Sequence, residues 1–150
     1  MILAADIGGT TSRFAAFSAG ADGGLDLREA LRLPTAEFSS FRELLGAVRG
    51  SDFGRAHWGA DRAALAVAGP VRGRTCRLSN VPWDIDLDRD LAGLELPPAA
   101  LVNDFTAQAW GCLTEAGRGG EVIQAGQAEP GSPLAVVGAG TGLGHCALVP

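Results

Sequence analysis

Short apolar runs separated by glycine and proline dominate the hydrophobic pattern of this chain. Three such runs follow one another near the start, over 2–5, 13–18 and 25–33, and predict strands joined by short turns. Sequential strands of this kind form an antiparallel meander at one side of a sheet. Later apolar runs predict further strands over 63–68, 75–78, 99–102, 121–124, 134–137 and 143–149.

Helical spacing is present in three places. Apolar residues recur every three or four positions over 38–48, which predicts an amphipathic helix that ends near Gly50. Acidic residues in a first turn indicate a short helix over 86–91. Strands mixed with helices predict an α/β domain. The third predicted helix is 105–117, and the segments expected to be irregular are 51–60 and 94–98.

Composition and charge exclude several classes of site. The chain has 150 residues, 47% of them hydrophobic, so it can bury a core. Its net charge is −5 without a basic cluster, which argues against a nucleic-acid partner. All 12 basic residues are arginine, and the absence of lysine excludes a Walker A loop and a Schiff base.

The cysteines, the histidines and the lengths of the apolar runs bear on the expected location of the protein and on metal binding. The three cysteines, Cys76, Cys112 and Cys146, form no close pair in the sequence, which is typical of reduced thiols in a cytoplasmic protein. Cys112 and Cys146 are expected to be packed. The two histidines are too scattered for a metal site. No apolar stretch approaches the ~18 residues of a membrane span, and no signal peptide is visible. The expected location is the cytoplasm, without a membrane partner.

Two glycine-rich turns are the strongest candidates for chemistry. The first is Asp6–Arg13 and the second is Gly138–Gly144, and each follows an apolar strand. Glycine lets a backbone approach a bulky anion, and N–H groups and threonine hydroxyls then bind phosphate oxygens. Hairpin turns also use glycine, so one such turn alone would be weak support. Asp6 either forms the turn or faces a Mg²⁺ ion bound to phosphates.

An Asn-Asp pair lies between these turns in the sequence. Asn103 and Asp104 follow a short strand and precede a helix, which places them at the carboxyl end of a strand, where open α/β sheets bind ligands. The alternative is structural, with Asp104 capping the helix and Asn103 turning the chain. Leu143 and His145 stand where a dinucleotide-binding fingerprint needs glycine, and the segment after the turn predicts a strand rather than a helix, which argues against such a site.

Four segments, taken together, resemble the bacterial glucokinase family of the hexokinase/actin-like ATPase superfamily. They are Asp6–Arg13, Leu78–Trp83, Leu101–Ala107 and Val137–Gly144. The resemblance implies an α/β fold of the ribonuclease-H-like or actin-like ATPase type. A small domain with a mixed sheet would span 1–116, and 117–150 would be the opening strands of a second, similar domain.

The resemblance also implies a role for each matching residue. Asp104 would be the general base for the sugar 6-hydroxyl, and Asn103 and Asn80 would contact the sugar. Asp6 would orient Mg²⁺ through water. The residues implied in nucleotide binding are Asp6, Gly8, Gly9, Thr10 and Thr11 in the first turn, and Gly140, Thr141 and Gly142 in the second.

The activity implied is transfer of the γ-phosphoryl group of ATP to glucose, with a homodimer as the favoured assembly. The donor stays open between ATP, ADP and polyphosphate. Members of this family are longer than this chain, so the 150 residues are expected to be an N-terminal portion with little or no activity by itself. The alternatives are a non-catalytic sugar-binding regulator and a vestigial fragment of the same fold.

Overall fold

The computed structural model of the protein describes residues 1–21, 23–78, 80–127, 129–139 and 143–150. The chain divides into two compact units, Met1–Asn103 and Asp104–Pro150. The division into domains at residues 116 and 117 stays a prediction, because these units reflect contacts within the 150 residues only.

The described residues of the first unit form eight strands, three α-helices and one short 3₁₀ turn. The strands are β1 (Ile2–Ile7), β2 (Thr11–Ala19), β3 (Leu25–Pro34), β4 (Arg62–Val67), β5 (Val71–Arg72), β6 (Thr75–Arg77), β7 (Asp84–Asp86) and β8 (Ala99–Asn103). The helices are α1 (Phe41–Gly50), α2 (Asp52–His57) and α3 (Leu87–Asp90), and the 3₁₀ turn is Thr35–Glu37.

Five of these strands form one mixed sheet in the order β3-β2-β1-β4-β8. The strands β1, β2 and β3 are an antiparallel meander, as the sequence predicts, whereas β4 and β8 run parallel to β1. Parallel strands end at the same edge, so the ends of β1, β4 and β8 share one edge of the sheet. That edge positions the first glycine turn and Asn103.

The core of this unit lies between the sheet and α1. Alternate residues of β1 are buried, as expected for a strand with one face on a core. The buried side chains of α1 are Phe41, Leu44, Leu45 and Val48, which are the positions that its helical spacing predicts. Ser40 caps the helix, because its hydroxyl accepts a hydrogen bond from the N–H of Glu43 at 3.1 Å.

The second unit consists of two helices and a hairpin. They are α4 (Asp104–Cys112), α5 (Glu115–Arg118), β9 (Leu134–Ala139) and β10 (Leu143–Leu148). The two strands pair antiparallel, with Gly138 opposite Gly144. Of the helices that the structure describes in either unit, none has the length and apolar character needed to cross a membrane.

The α/β class and the mixed sheet are confirmed, but several local predictions are wrong. Residues 51–60 are not irregular, because α2 lies there. Residues 121–124 form no strand, and Ile123 is 98% exposed. The third helix stops at Cys112, where the hydroxyl of Thr114 donates to the carbonyl of Gly111 at 2.6 Å, and α5 begins at Glu115. Cys112 is exposed rather than packed.

Candidate functional site

The first glycine turn joins β1 to β2 and is closed by its own backbone. The N–H of Gly8 donates to the carbonyl of Thr11 at 3.1 Å. A Cβ on Gly8 would lie 3.0 Å from that carbonyl oxygen, so a larger residue would press on the turn. The sequence-predicted residues Gly8, Gly9, Thr10 and Thr11 therefore form one tight turn at the carboxyl edge of the sheet.

Asp6 lies beside this turn and is paired with an arginine. It is opposite Arg13 in the β1–β2 register, and Arg13 Nη1 donates to Asp6 Oδ2 at 2.8 Å. Both side chains are about half exposed. A half-exposed carboxylate next to a phosphate-type turn suits Mg²⁺, which uses one or two carboxylates together with substrate phosphates and water. Within the described residues, no cluster of three or more His, Cys, Asp or Glu side chains could hold a metal by itself.

A buried threonine, Thr35, is hydrogen-bonded to the turn. Thr35 donates its N–H to the carbonyl of Thr10 at 3.0 Å. Its hydroxyl also lies 2.8 Å from the hydroxyl of Ser12, and both residues are fully buried. Sequence reasoning missed Thr35, and the only available signal was a lone polar residue directly after the predicted third strand. A buried hydroxyl pair of this kind fixes the backbone that carries the turn.

Asn80 lies directly against the same turn. A Cβ on Gly9 would overlap the Cβ of Asn80 and would be 3.1 Å from its carboxamide nitrogen. Two residues that are 71 positions apart, and that were predicted in different roles, are therefore neighbours. Gly9 is needed here for close approach.

Trp83 holds the segment after Asn80 in place. Its indole N–H donates to the carbonyl of Phe38 at 2.9 Å, and its ring stacks on Phe41 with the centroids 6.3 Å apart. An open cavity of about 680 Å³ lies beside this tryptophan. The cavity is lined by Pro70, Arg77, Leu78, Val81, Pro82, Trp83 and Asp84.

Asn103 ends β8 at the edge of the sheet, opposite Val67 in the β4–β8 register. Its carboxamide donates to the carbonyl of Gly69 at 3.0 Å. This hydrogen bond joins the end of β8 to the loop after β4. It fixes the orientation of the Asn103 side chain at the edge where the sequence predicts a ligand.

Asp104 is the first residue of α4. Its Oδ1 accepts a hydrogen bond from the N–H of Phe105 at 2.9 Å. A carboxylate in this position is favoured by the unpaired N–H groups and the dipole of a helix start. This geometry is compatible with Asp104 as a helix cap only, and also with Asp104 as a carboxylate whose orientation is fixed before a substrate binds.

The second glycine turn was predicted at Gly140, Thr141 and Gly142, which lie outside the described residues. The flanking glycines are described, and both face an aromatic ring. A Cβ on Gly138 would lie 3.0 Å from Phe105 Cε1, and one on Gly144 would overlap the same ring. The hairpin and the start of α4 are therefore packed together through Phe105.

Comparison with known proteins gives one consistent family. A family model described as Glucokinase matches residues 3–150. The glucokinase of Mesorhizobium japonicum is 36% identical over 148 residues, which are 99% of this chain and 42% of that protein. The glucokinase of Stenotrophomonas maltophilia strain K279a is 38% identical over 156 residues, covering 99% of this chain and 44% of that protein.

Solved structures share the fold. A glucokinase from an Antarctic psychrotroph superposes with a TM-score of 0.75 at 34% identity, covering 99% of this chain and 46% of that chain. A glucokinase from Balamuthia mandrillaris in complex with glucose superposes with a TM-score of 0.59 at 21% identity, covering 99% of this chain and 44% of that chain. At this identity the likeness shows the fold alone. These neighbours confirm the expected sugar-kinase fold of the actin-like type. The chain spans less than half the length of each of these relatives.

Proposed function

The chain belongs to the glucokinase family, and from this premise we propose that it supplies the catalytic carboxylate and two phosphate turns of an ATP-dependent glucose kinase. The observation that carries the proposal is the position of Asn103 and Asp104 at the end of β8 and the start of α4. In an open α/β sheet, the carboxyl ends of the strands are where ligands bind.

Asp104 is the proposed general base. Its carboxylate takes the proton of the glucose 6-hydroxyl as that oxygen bonds to the γ-phosphorus of ATP, and the bond to the ADP oxygen breaks. Asn103 and Asn80 bind sugar hydroxyls through their carboxamides. The Asn103 hydrogen bond to Gly69 supports this role, because it holds the side chain in one orientation before the sugar arrives.

The two turns bind the phosphates in this proposal. Backbone N–H groups and hydroxyls of 8–11 bind the β- and γ-phosphates, and residues 140–142 are the second nucleotide-binding turn that the family resemblance implies. Asp6 would hold a Mg²⁺ ion through water, and the ion would supply positive charge opposite the phosphates. Phosphoryl transfer has a loose transition state, so positioning and charge stabilisation of this kind supply most of the catalysis without a lysine.

An assay of glucose phosphorylation with ATP and Mg²⁺ tests the proposal. The assay uses the protein at the length that its gene encodes. Asp104→Ala should lower turnover by about 10²–10⁴-fold, the usual contribution of general-base catalysis, and leave the dissociation constant for nucleotide unchanged. Asp26→Ala, which removes an exposed carboxylate from β3, is the matched control and should keep full turnover. Turnover above about a tenth of wild type in Asp104→Ala would contradict the general-base role.

We also propose that residues 1–150 alone have little or no kinase activity. Closure of two complete domains excludes water and assembles a kinase site, and this chain spans under half of its relatives. A turnover of the 150 residues near 1 s⁻¹ or above, the low end for typical enzymes, would contradict this. A homodimer in the cytoplasm is part of the same proposal, and light scattering tests the oligomeric state.

A further inference from the structure

Gly69 lies where the loop after β4 meets two other strands. Its N–H donates to the carbonyl of Val67 at 2.9 Å, and its own carbonyl accepts the hydrogen bond from the Asn103 carboxamide at 3.0 Å. Residues Cys76 and Arg77 of β6 lie against its α-carbon. The Gly69 junction is the name we give to Gly69, Cys76, Arg77 and Asn103, which all belong to the first unit.

The approach of β6 leaves no space for a side chain at Gly69. A Cβ there would lie 2.5 Å from the carbonyl oxygen of Arg77 and 2.9 Å from Cys76 Sγ. The first of these is a backbone atom of a paired strand, since Arg77 is opposite Asp84 in the β6–β7 register. Gly69 has no positive φ, so the close approach of β6, and not the backbone conformation, requires glycine here.

The carbonyl of Gly69 is an acceptor with a fixed position at the edge of the sheet. The preceding residue, Ala68, donates its N–H to the carbonyl of Ile7 at 3.2 Å, which ties the loop to the end of β1. The contact with β6 holds the same loop a second time. A carbonyl oxygen accepts and cannot donate, so the nitrogen of the Asn103 carboxamide must face Gly69. The hydrogen bond thereby also sets the position of the carboxamide oxygen.

We propose that Gly69 is a positioning residue for the sugar and that it acts through Asn103. The contact with β6 sets the place of the Gly69 carbonyl, and that carbonyl sets the orientation of the carboxamide. A side chain that is oriented before its ligand arrives loses less conformational freedom on binding, so the Gly69 junction contributes to sugar affinity. This inference rests on the proposed function for the identity of the sugar as glucose.

Gly69→Ala, in the protein at its encoded length, tests the inference by calorimetry. The added methyl group forces the loop away from β6 and moves the acceptor of Asn103. We expect the dissociation constant of glucose to rise about three- to tenfold, the usual effect of one lost hydrogen bond. The dissociation constant of adenylyl imidodiphosphate with Mg²⁺, measured without glucose, should stay within about twofold of wild type. Gly59→Ala, where a Cβ would meet nothing within 4 Å, is the matched control and should leave both constants unchanged.

A double-mutant cycle separates positioning from a general effect on the fold. Asn103→Ala removes the carboxamide and should weaken glucose binding by itself. Because Gly69 acts through Asn103, Gly69→Ala should change the glucose dissociation constant by less than about twofold in the Asn103→Ala background, since residues that act through one another are not additive. The same factor in both backgrounds would overturn the inference, as would equal factors for glucose and for the nucleotide in Gly69→Ala.

Nuclear magnetic resonance of the sugar-free wild type provides a readout that needs neither catalysis nor a folded variant. The side-chain amide protons of Asn103 should exchange with water more slowly than those of Asn80, which is exposed, because Asn103 donates to Gly69. This protection should be lost in Gly69→Ala. Equally fast exchange of both asparagines in wild type would overturn the inference, even if Gly69→Ala did not fold. Slow exchange at Asn103 in a wild type that binds no glucose would overturn the proposed function instead.

Discussion

The ring of Phe105 fills the space where Gly144 has no side chain. A Cβ on Gly144 would overlap Cδ2, Cε2 and Cζ of that ring. Gly138, which pairs with Gly144 across the hairpin, faces the same ring, and a Cβ there would lie 3.0 Å from Cε1. Phe105 follows Asp104 directly, so this packing ties the start of α4 to the hairpin that carries the second turn.

We expect Gly144→Ala to destabilise the second unit and to reduce turnover. The added methyl group meets a ring held by the hairpin, and overpacking of this kind costs about 1–3 kcal/mol. Urea denaturation and glucose phosphorylation measure the two effects. Gly126→Ala is the matched control, because a Cβ on Gly126 would meet nothing within 4 Å.

A second substitution tests the cause of that loss. Phe105→Leu in the Gly144→Ala background shortens the side chain and should restore part of the stability. Equal denaturation midpoints for Gly144→Ala and Gly126→Ala would show that the ring is not held against this glycine.

Gly9→Ala should lower turnover through the contact with Asn80. The new Cβ would overlap the Cβ of Asn80, so the backbone of the turn or of residue 80 must move. A displacement of about 1 Å in a positioning element costs about 10²-fold in rate. Steady-state kinetics with ATP and glucose measure the loss. Gly59→Ala, where a Cβ would have open space, should be neutral, and full activity of Gly9→Ala would contradict the contact.

The sequence predicts those elements that have a clear hydrophobic pattern along the chain. Apolar runs bounded by turns locate the meander, and three- to four-residue spacing locates α1, whose apolar positions form its buried face. The helix α2 has no such pattern. It is six residues long and includes Gly54, where a Cβ would lie 2.6 Å from the carbonyl of Arg49. Close packing therefore requires glycine at this position, and glycine in a sequence does not indicate a helix.

Contacts between distant residues account for the remaining errors and omissions. The β-branched residues Val122 and Ile123 suggest a strand, but a strand needs a partner, and both are exposed. The resemblance singled out Gly9 and Asn80 separately, without indicating that they are in contact. Thr35 matches no motif and follows no period, since its role comes from hydrogen bonds to Thr10 and Ser12 that only the folded chain forms.

Gly46→Ala should stabilise the protein by about 1 kcal/mol, because alanine restricts the unfolded chain more than glycine and favours helix. Gly46 is exposed within α1, and a Cβ there would meet nothing within 4 Å. The urea midpoint measures the change. Gly54→Ala, in α2, is the contrasting variant and should destabilise, because its Cβ would strike the carbonyls that end α1. A gain in stability from both variants would contradict the packing of α2.

Trp58→Phe should destabilise the first unit by about 1–3 kcal/mol, which is the cost of leaving a buried partner unpaired. The indole N–H of Trp58 donates to the carbonyl of Leu94 at 2.7 Å, and the residue is 8% exposed. Phenylalanine keeps most of the apolar contact and removes the donor. The free energy of unfolding from urea titration measures the loss. Trp110→Phe, at a tryptophan that is 63% exposed, controls for the type of substitution and should change it little.

Glu43 should make the stability of α1 sensitive to acid. Its carboxylate accepts hydrogen bonds from the hydroxyl of Ser39 at 2.6 Å and from its N–H at 2.7 Å, and these lower the pKa of Glu43 below the ordinary glutamate range. A depressed pKa in the folded state means that the unfolded state binds the proton more tightly. The stabilisation is therefore present above the unfolded pKa and is lost as the pH falls through the folded one.

Urea midpoints at about pH 6 and about pH 3 measure this effect, because the two values bracket the titration of a glutamate. Glu43→Gln should lower the midpoint at the higher pH and change it less at the lower one, where protonation weakens the same interaction in wild type. Glu37→Gln, at a neighbouring exposed glutamate, controls for the loss of one negative charge. Because Glu43 is exposed, the effect is small and screened by salt, so it should shrink as ionic strength rises. An equal loss from Glu43→Gln at both pH values would assign the role of Glu43 to packing rather than to its charge.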